Sequence, residues 1–224
     1  MKFKLSLFLF LIFSLYFAQA QDLSRYPLMV KPKATAKRII FYLSGDGGMN
    51  SFSQNLMESL SEKNYAIVSL DSKKYFWDQK TPDKMAQDLT IIIEHYLKTW
   101  NNAEFSIVGY SFGADAALFL TLRLSKELQA KLKSTILLSP SSSTDFVIKL
   151  TDMMGFGNKE AKYKTLPEVN KINSQLCFIF GANEDLAMYN AIPAKKNISK
   201  IKIPGLHKFD NDIQKVALTI QTGL

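Results

Sequence analysis

Five short runs set the hydrophobic pattern of this chain: Ile39–Leu43, Ala66–Leu70, Phe105–Val108, Thr135–Leu138 and Leu176–Phe180. Each is almost continuously apolar, and rich in β-branched residues or Phe, instead of alternating with polar residues. That is the pattern of strands in a parallel sheet covered on both faces. A sixth run, Ile198–Ile203, is interrupted by Ser199, Lys200 and Lys202, so it reads as a more exposed strand near an edge. Helical periodicity lies between the runs. In "TPDKMAQDLTIIIEHYLKTW" the residues Met85, Leu89, Ile92, Ile93, Tyr96, Leu97 and Trp100 recur at the helical period. Thr81 stands as N-cap and Pro82 at the first helical position. A last helix begins near Asp210 and repeats its apolar face at Ile213, Val216, Ala217 and Ile220, with Gly223 as a C-cap. Strand–helix alternation of this kind implies an α/β fold, a mostly parallel sheet of about six strands with helices on both faces.

The alternation breaks once. Residues 141–173, between the fourth and fifth runs, carry Phe146, Val147, Leu150, Met153, Met154 and Phe156, then "GNKEAKYKTLPE". Such an insertion reads either as a small cap over the C-terminal edge of the sheet, where open α/β folds place their sites, or as one more helix on the core.

The N-terminus has the layout of an export signal. Lys2 and Lys4 precede an apolar stretch from Leu5 to Phe17, and Ala18-Gln19-Ala20 offers a small-x-small cleavage pattern. The apolar stretch is short for a bilayer span, so the expected boundaries are a signal peptide over 1–20, cut after Ala20, an N-terminal extension over 21–37 and one domain over 38–224. The expected location is periplasmic or secreted. The chain of 224 residues has a formal net charge of +8, still positive without the two leader lysines. A basic exported protein favours an anionic phospholipid surface over nucleic acid as its partner. Cys177 is the only cysteine and lies within an apolar run, which suits a buried, inert thiol. One cysteine and two histidines are too few for a Cys/His zinc cluster. Neither a metal nor a cofactor is expected, and the oligomeric state is left open.

Chemistry enters with "VGYSFGADAALF". Gly109 and Gly113 bracket Ser111 directly after a strand and before a helix, the spacing a nucleophile elbow requires, because larger side chains would collide in so sharp a turn. A serine nucleophile needs a histidine and an acid downstream. His95 precedes Ser111 and lies mid-helix. His207, in "IPGLHKFD" between the last strand and the last helix, stands where a general base belongs. After the preceding strand, "FGANEDLAM" offers both Asp185 and Glu184; Asp185 is the preferred acid and Glu184 the alternative. Phe112, the residue after the nucleophile, is the first expected oxyanion donor. The loop "LSGDGG" after the first strand supplies the second, from Asp46 or Gly47. That loop matches neither GxxxxGK[ST] nor GxGxxG, and Asp46 would repel an anion, so nucleotide binding is not expected.

Taken together, "LSGDGG", "LDSKKYFWDQKTPDKMAQDL", "VGYSFGADAALF" and "IPGLHKFDND" resemble the bacterial virulence protein VirJ/AcvB family of exported α/β-hydrolases, from about Ile39 to the last helix. The chain departs from that pattern at Met49, where Trp is common, at Lys208, where a second His is common, and near Met188, where another cysteine is common. The resemblance implies an α/β-hydrolase fold and hydrolysis of aminoacylated phosphatidylglycerol, lysyl-phosphatidylglycerol above all, by a serine ester hydrolase. It also marks Asp115, shortly after the elbow. Asp46 and Asp115 are then candidates to receive the substrate's amino groups, and Tyr75 and Trp77 to line the pocket. Two other readings stay open: a secreted esterase or peptidase acting on soluble substrates, and a non-enzymatic periplasmic factor assisting secretion.

Overall fold

The computed structural model describes residues 22–149 and 161–224. The proposed leader, with its cut after Ala20, lies outside the described residues, as do Leu150, Met153, Met154 and Phe156 of the insertion. The strands are β1 (Leu28–Lys31), β2 (Ile39–Leu43), β3 (Ala66–Leu70), β4 (Phe105–Tyr110), β5 (Leu132–Leu138), β6 (Ser143–Thr144), β7 (Tyr163–Lys164), β8 (Leu176–Gly181) and β9 (Ile198–Ile203). The helices are α1 (Ser51–Glu62), α2 (Ser72–Tyr75), α3 (Pro82–Thr99), α4 (Phe112–Arg123), α5 (Lys126–Lys131), α6 (Leu166–Lys171), α7 (Ala187–Ala191) and α8 (Ile213–Gly223), with a 3₁₀ turn over Phe209–Asn211.

Seven strands form one sheet in the order β1-β3-β2-β4-β5-β8-β9, parallel throughout except for β1, which runs antiparallel to β3. All six expected strands are present. The seventh, β1, comes from the segment read as an N-terminal extension. Its four residues sit between Pro27 and Pro32, with Met29 and Val30 exposed, so it carries no buried-strand signature. As read from its lysines, β9 forms the opposite edge.

Alternate side chains of each strand enter opposite layers, the two-residue period of a pleated strand. From β2, Ile39, Phe41 and Leu43 join a core beneath α3 and α4, while Ile40 and Tyr42 join one beneath α1 and α8. Leu56, Ile92, Leu118 and Ile220 are fully or almost fully buried, each contributing about 2 kcal/mol by transfer from water. Thr81 caps α3 through Lys84 N–H, at 3.1 Å, with Pro82 behind it. The last helix starts three residues later than expected, at Ile213 on an Asp212 cap, because Asp210 and its neighbours form the 3₁₀ turn. In the insertion, β6 and β7 pair as a two-residue ladder, and fully buried Phe146 packs its ring against Phe76, Phe119 and Tyr163.

One polar cluster ties three segments together. Asp88, on α3 and 4% exposed, accepts from the hydroxyls of Tyr26 (2.9 Å) and Tyr75 (2.8 Å) and from Lys84 Nζ (2.7 Å). Burial pushes its carboxyl up, but those three donors outweigh it and hold the group below the usual carboxylate range.

Candidate active site

The strand order reverses between β2 and β4, so their C-terminal ends part and leave a crevice, the usual position for a site in an open α/β sheet. The loop of residues 44–50 leaves β2 there, and the elbow leaves β4. Leu43 pairs in register with Gly109. The elbow's glycines are dictated by contact: a Cβ at Gly109 would lie 2.3 Å from the Gly113 carbonyl oxygen, and one at Gly113 would lie 2.2 Å from that of Leu43. No other residue fits at either place. Ser111 is held at φ 53° and ψ −122°, a backbone conformation costly for any residue but glycine, with its N–H bonded to Leu138 O at 2.8 Å. The turn therefore projects the hydroxyl from the head of α4.

That hydroxyl meets His207. Ser111 Oγ lies 2.9 Å from His207 Nε2, and His207 Nδ1 lies 2.9 Å from Glu184 Oε2. An ionised carboxylate only accepts, so Nδ1 carries the hydrogen and Nε2 presents its lone pair to the serine hydroxyl. The three residues come from the ends of three strands, in the order Ser, acid, His.

The carboxylate that meets His207 is that of Glu184, not of Asp185. The turn leaving β8 is pinned by Ala182 N–H to Ile203 O (2.8 Å) and Asn183 N–H to Gly205 O (3.0 Å), which binds it to the loop carrying His207. Its geometry directs Glu184 inward, where Oε1 accepts from the Ser139 hydroxyl (2.7 Å) and from Gly181 N–H (2.6 Å). Asp185 faces solvent and accepts from Ala187 N–H at 2.9 Å, at the start of α7. The Glu184 side chain is 9% exposed. Burial pushes its carboxyl up, yet the bonds from His207, Ser139 and Gly181 prevail and hold it below the usual glutamate range.

Two supporting residues had no sequence signal of their own. Ser139 directly follows β5, a strand that ends at the crevice, and its position at a strand end was the only clue. Tyr110 fills the variable position before the nucleophile. Its hydroxyl donates to the His207 carbonyl at 3.3 Å, and its ring lies 5.6 Å from the imidazole. Burial, and then the charges of Asp46 and Glu184, push its phenol up, so it remains a donor.

Phe112 begins α4, and neither its N–H nor those of Asp46 and Gly47 have a hydrogen-bond partner among the described residues. Gly45 packs close to the nucleophile: a Cβ there would be 3.4 Å from Ser111 Cβ. These unpartnered N–H groups belong to the two loops that meet at Ser111.

Two expected substrate contacts are corrected. Asp115 is 2% exposed, and its Oδ1 accepts Ser141 N–H at 2.7 Å, fastening the start of the insertion to α4. Burial holds its carboxyl well above the usual aspartate range despite the bonds from Ser141. Tyr75 is buried with its hydroxyl on Asp88. Its neighbour Phe76 supports the site from beneath, edge-on to Phe112 at 4.9 Å. Trp77, by contrast, is 53% exposed. It borders a cleft of about 560 Å³, whose other walls are residues 47–50 and Asp71, Lys73, Lys74 and Asp78. His95 lies on α3, edge-on to Tyr96 at 5.1 Å, and Cys177 is a buried free thiol.

The sequence profile of the family described as "Bacterial virulence protein (VirJ)" matches residues 37–224. The chain belongs to the VirJ family. No curated protein matches it. Solved structures align over most of this VirJ-family chain with low identity. Est1E from Butyrivibrio proteoclasticus superposes with a TM-score of 0.62 at 15% identity, covering 87% of this chain and 90% of its own. The esterase Pf2001 of Pyrococcus furiosus gives 0.60 at 14%, covering 84% and 81%. The thioesterase domain from the curacin biosynthetic pathway gives 0.58 at 10%, covering 87% and 94%. At such identities the likeness establishes the fold, which is that of the α/β-hydrolases.

Proposed function

We propose that this VirJ-family protein is an exported serine ester hydrolase that cleaves the aminoacyl ester of aminoacylated phosphatidylglycerol, with lysyl-phosphatidylglycerol its first substrate. The observation that carries the reading is the continuous relay from Ser111 Oγ through His207 to Glu184, with both links at 2.9 Å. His207 Nε2 takes the hydroxyl proton as Ser111 Oγ bonds to the aminoacyl carbonyl carbon. Glu184 stabilises the imidazolium that forms. The N–H of Phe112, with that of Asp46 or Gly47, receives the oxyanion. Collapse of the tetrahedral intermediate breaks the ester bond, and His207 returns the proton to the departing glycerol oxygen of phosphatidylglycerol. His207 then draws a proton from water as the water oxygen attacks the aminoacyl-serine. A second collapse frees the amino acid and restores Ser111.

The substrate assignment draws support from the family, from the positive net charge and from the open, charged cleft beside the glycine loop. Asp46, half-exposed in that loop, is the carboxylate left for the substrate's ammonium groups once Asp115 is accounted for. The names of Est1E and the curacin thioesterase favour a second reading, a soluble ester or thioester. The test is amino-acid release from vesicles carrying lysyl- or alanyl-phosphatidylglycerol. Release by the wild type and none by Ser111→Ala is expected. Absence of release from both lipids, with a soluble ester cleaved instead, overturns the lipid substrate. Equal release by Ser111→Ala overturns the mechanism.

A further inference from the structure

The cleft beside the glycine loop is walled by two aspartates and two lysines, and one of the lysines has no carboxylate partner among the described residues. Lys74 Nζ pairs with Asp71 Oδ2 at 3.8 Å, while Asp71 Oδ1 caps α2 through Lys74 N–H at 3.3 Å, so that carboxylate is spent locally. Asp78 is solvent-exposed. Lys73 is half-buried and has no carboxylate partner among the described residues. Gly48 is what lets the loop lie this close to α2. It sits at φ +66°, and a Cβ there would meet Asp71 Oδ1 at 2.7 Å and Lys73 Cβ at 3.1 Å. Trp77 adds a large exposed indole to the same walls. A lysine without a carboxylate partner and an exposed indole on the walls of one cleft suit an anion attached to an apolar body.

The cleft is also close to the nucleophile. Gly48 N–H donates to Gly45 O at 3.0 Å, closing a turn whose ends lie within about 7 Å of each other, and Gly45 packs on Ser111. An ester held at Ser111 would therefore reach the cleft with whatever its alcohol half carries a few bonds beyond the ester oxygen.

We infer that this cleft is the leaving-group subsite and takes a phosphodiester carried on the alcohol half of the ester, with Lys73 as the anion's partner and Trp77 as its apolar wall. This deepens the proposed function and rests on Ser111 being the nucleophile. Trp77 and Trp100 are the only tryptophans, so a Trp100→Phe background makes the emission of Trp77 report occupancy. In that background, with Ser111→Ala to prevent turnover, titration with glycerophosphoglycerol gives a saturable change. Lys73→Ala weakens it about tenfold, the loss of one charge-assisted contact, and Lys98→Ala on α3 leaves it as it was. No saturable change, or equal affinity after Lys73→Ala, overturns the subsite. Inorganic phosphate binding as tightly as the diester also overturns it, because the cleft would then be a site for free phosphate. Saturable diester binding without cleavage of any aminoacyl lipid supports the subsite and removes only the aminoacyl reading.

Discussion

Two carboxyl groups bond to the segment that follows β5, and the fold treats them oppositely. Asp115 on α4 and Glu184 after β8 are both withdrawn from water, and burial alone pushes both toward the neutral acid. Asp115 has bonds only from Ser141 to oppose that push, and it loses. Glu184 has His207, Ser139 and Gly181, and it stays below its ordinary range. Greater depth and fewer donors raise the one, while lesser depth and more donors lower the other. Their contacts differ as well: Asp115 fastens a loop, while Glu184 holds the imidazole of His207.

The largest effect that tests this contrast is Glu184→Gln. An amide cannot stabilise the imidazolium or enforce the Nδ1–H tautomer, so kcat for ester cleavage falls about a thousandfold. Steady-state kinetics at neutral pH measures it, and a loss below tenfold would remove Glu184 from the relay. The stability of the two carboxyls should also depend on pH with opposite signs. For Glu184 the folded pKa is lowered, so its contribution is present above the ordinary value of about 4.3 and disappears as pH falls through the folded value.

Asp115→Asn gives the next effect, on stability. The folded pKa of Asp115 is raised, so the wild type is at its best below the ordinary value of about 3.9 and loses ground as pH rises toward the folded value. Asn keeps an acceptor for Ser141 and has no proton to lose. Urea denaturation should therefore show the variant gaining on the wild type between pH 3 and pH 7, with a higher midpoint at pH 7. A gap that stays constant over that range would mean that Asp115 does not titrate as its burial requires.

The smallest effect belongs to Asp185→Asn. The residue is solvent-exposed and bonds only to the start of α7, so activity should stay within about twofold of wild type, as for most surface substitutions. A drop comparable with that of Glu184→Gln would reverse the assignment of the acid.

That last pair shows where the sequence stops being informative. Strands β2, β3, β4, β5 and β8 were legible because burial on both faces leaves a continuous apolar run. The elbow was legible because its steric demand admits only glycine at 109 and 113. Glu184 and Asp185 are adjacent acids, and their roles are set by a turn pinned from β9, a partner that no local pattern records. Tyr75 and Asp115 were misread for the same reason. Each is polar, but its hydroxyl or carboxyl is used by a partner 13 residues away in one case and 26 in the other. Strand β1 was missed because an edge strand only four residues long, with exposed Met29 and Val30, has no hydrophobic signature to read.

Asp88 gives the remote edge of the sheet a stake in the crevice. Tyr26, just before β1, and Tyr75, just before Phe76, share its carboxylate, and Phe76 supports the ring of Phe112. Detaching either tyrosine leaves the buried carboxylate short of a donor, so the two segments should open as one cooperative unit in amide exchange. Fraying at β1 would then be felt as slackness beneath the first amide of α4.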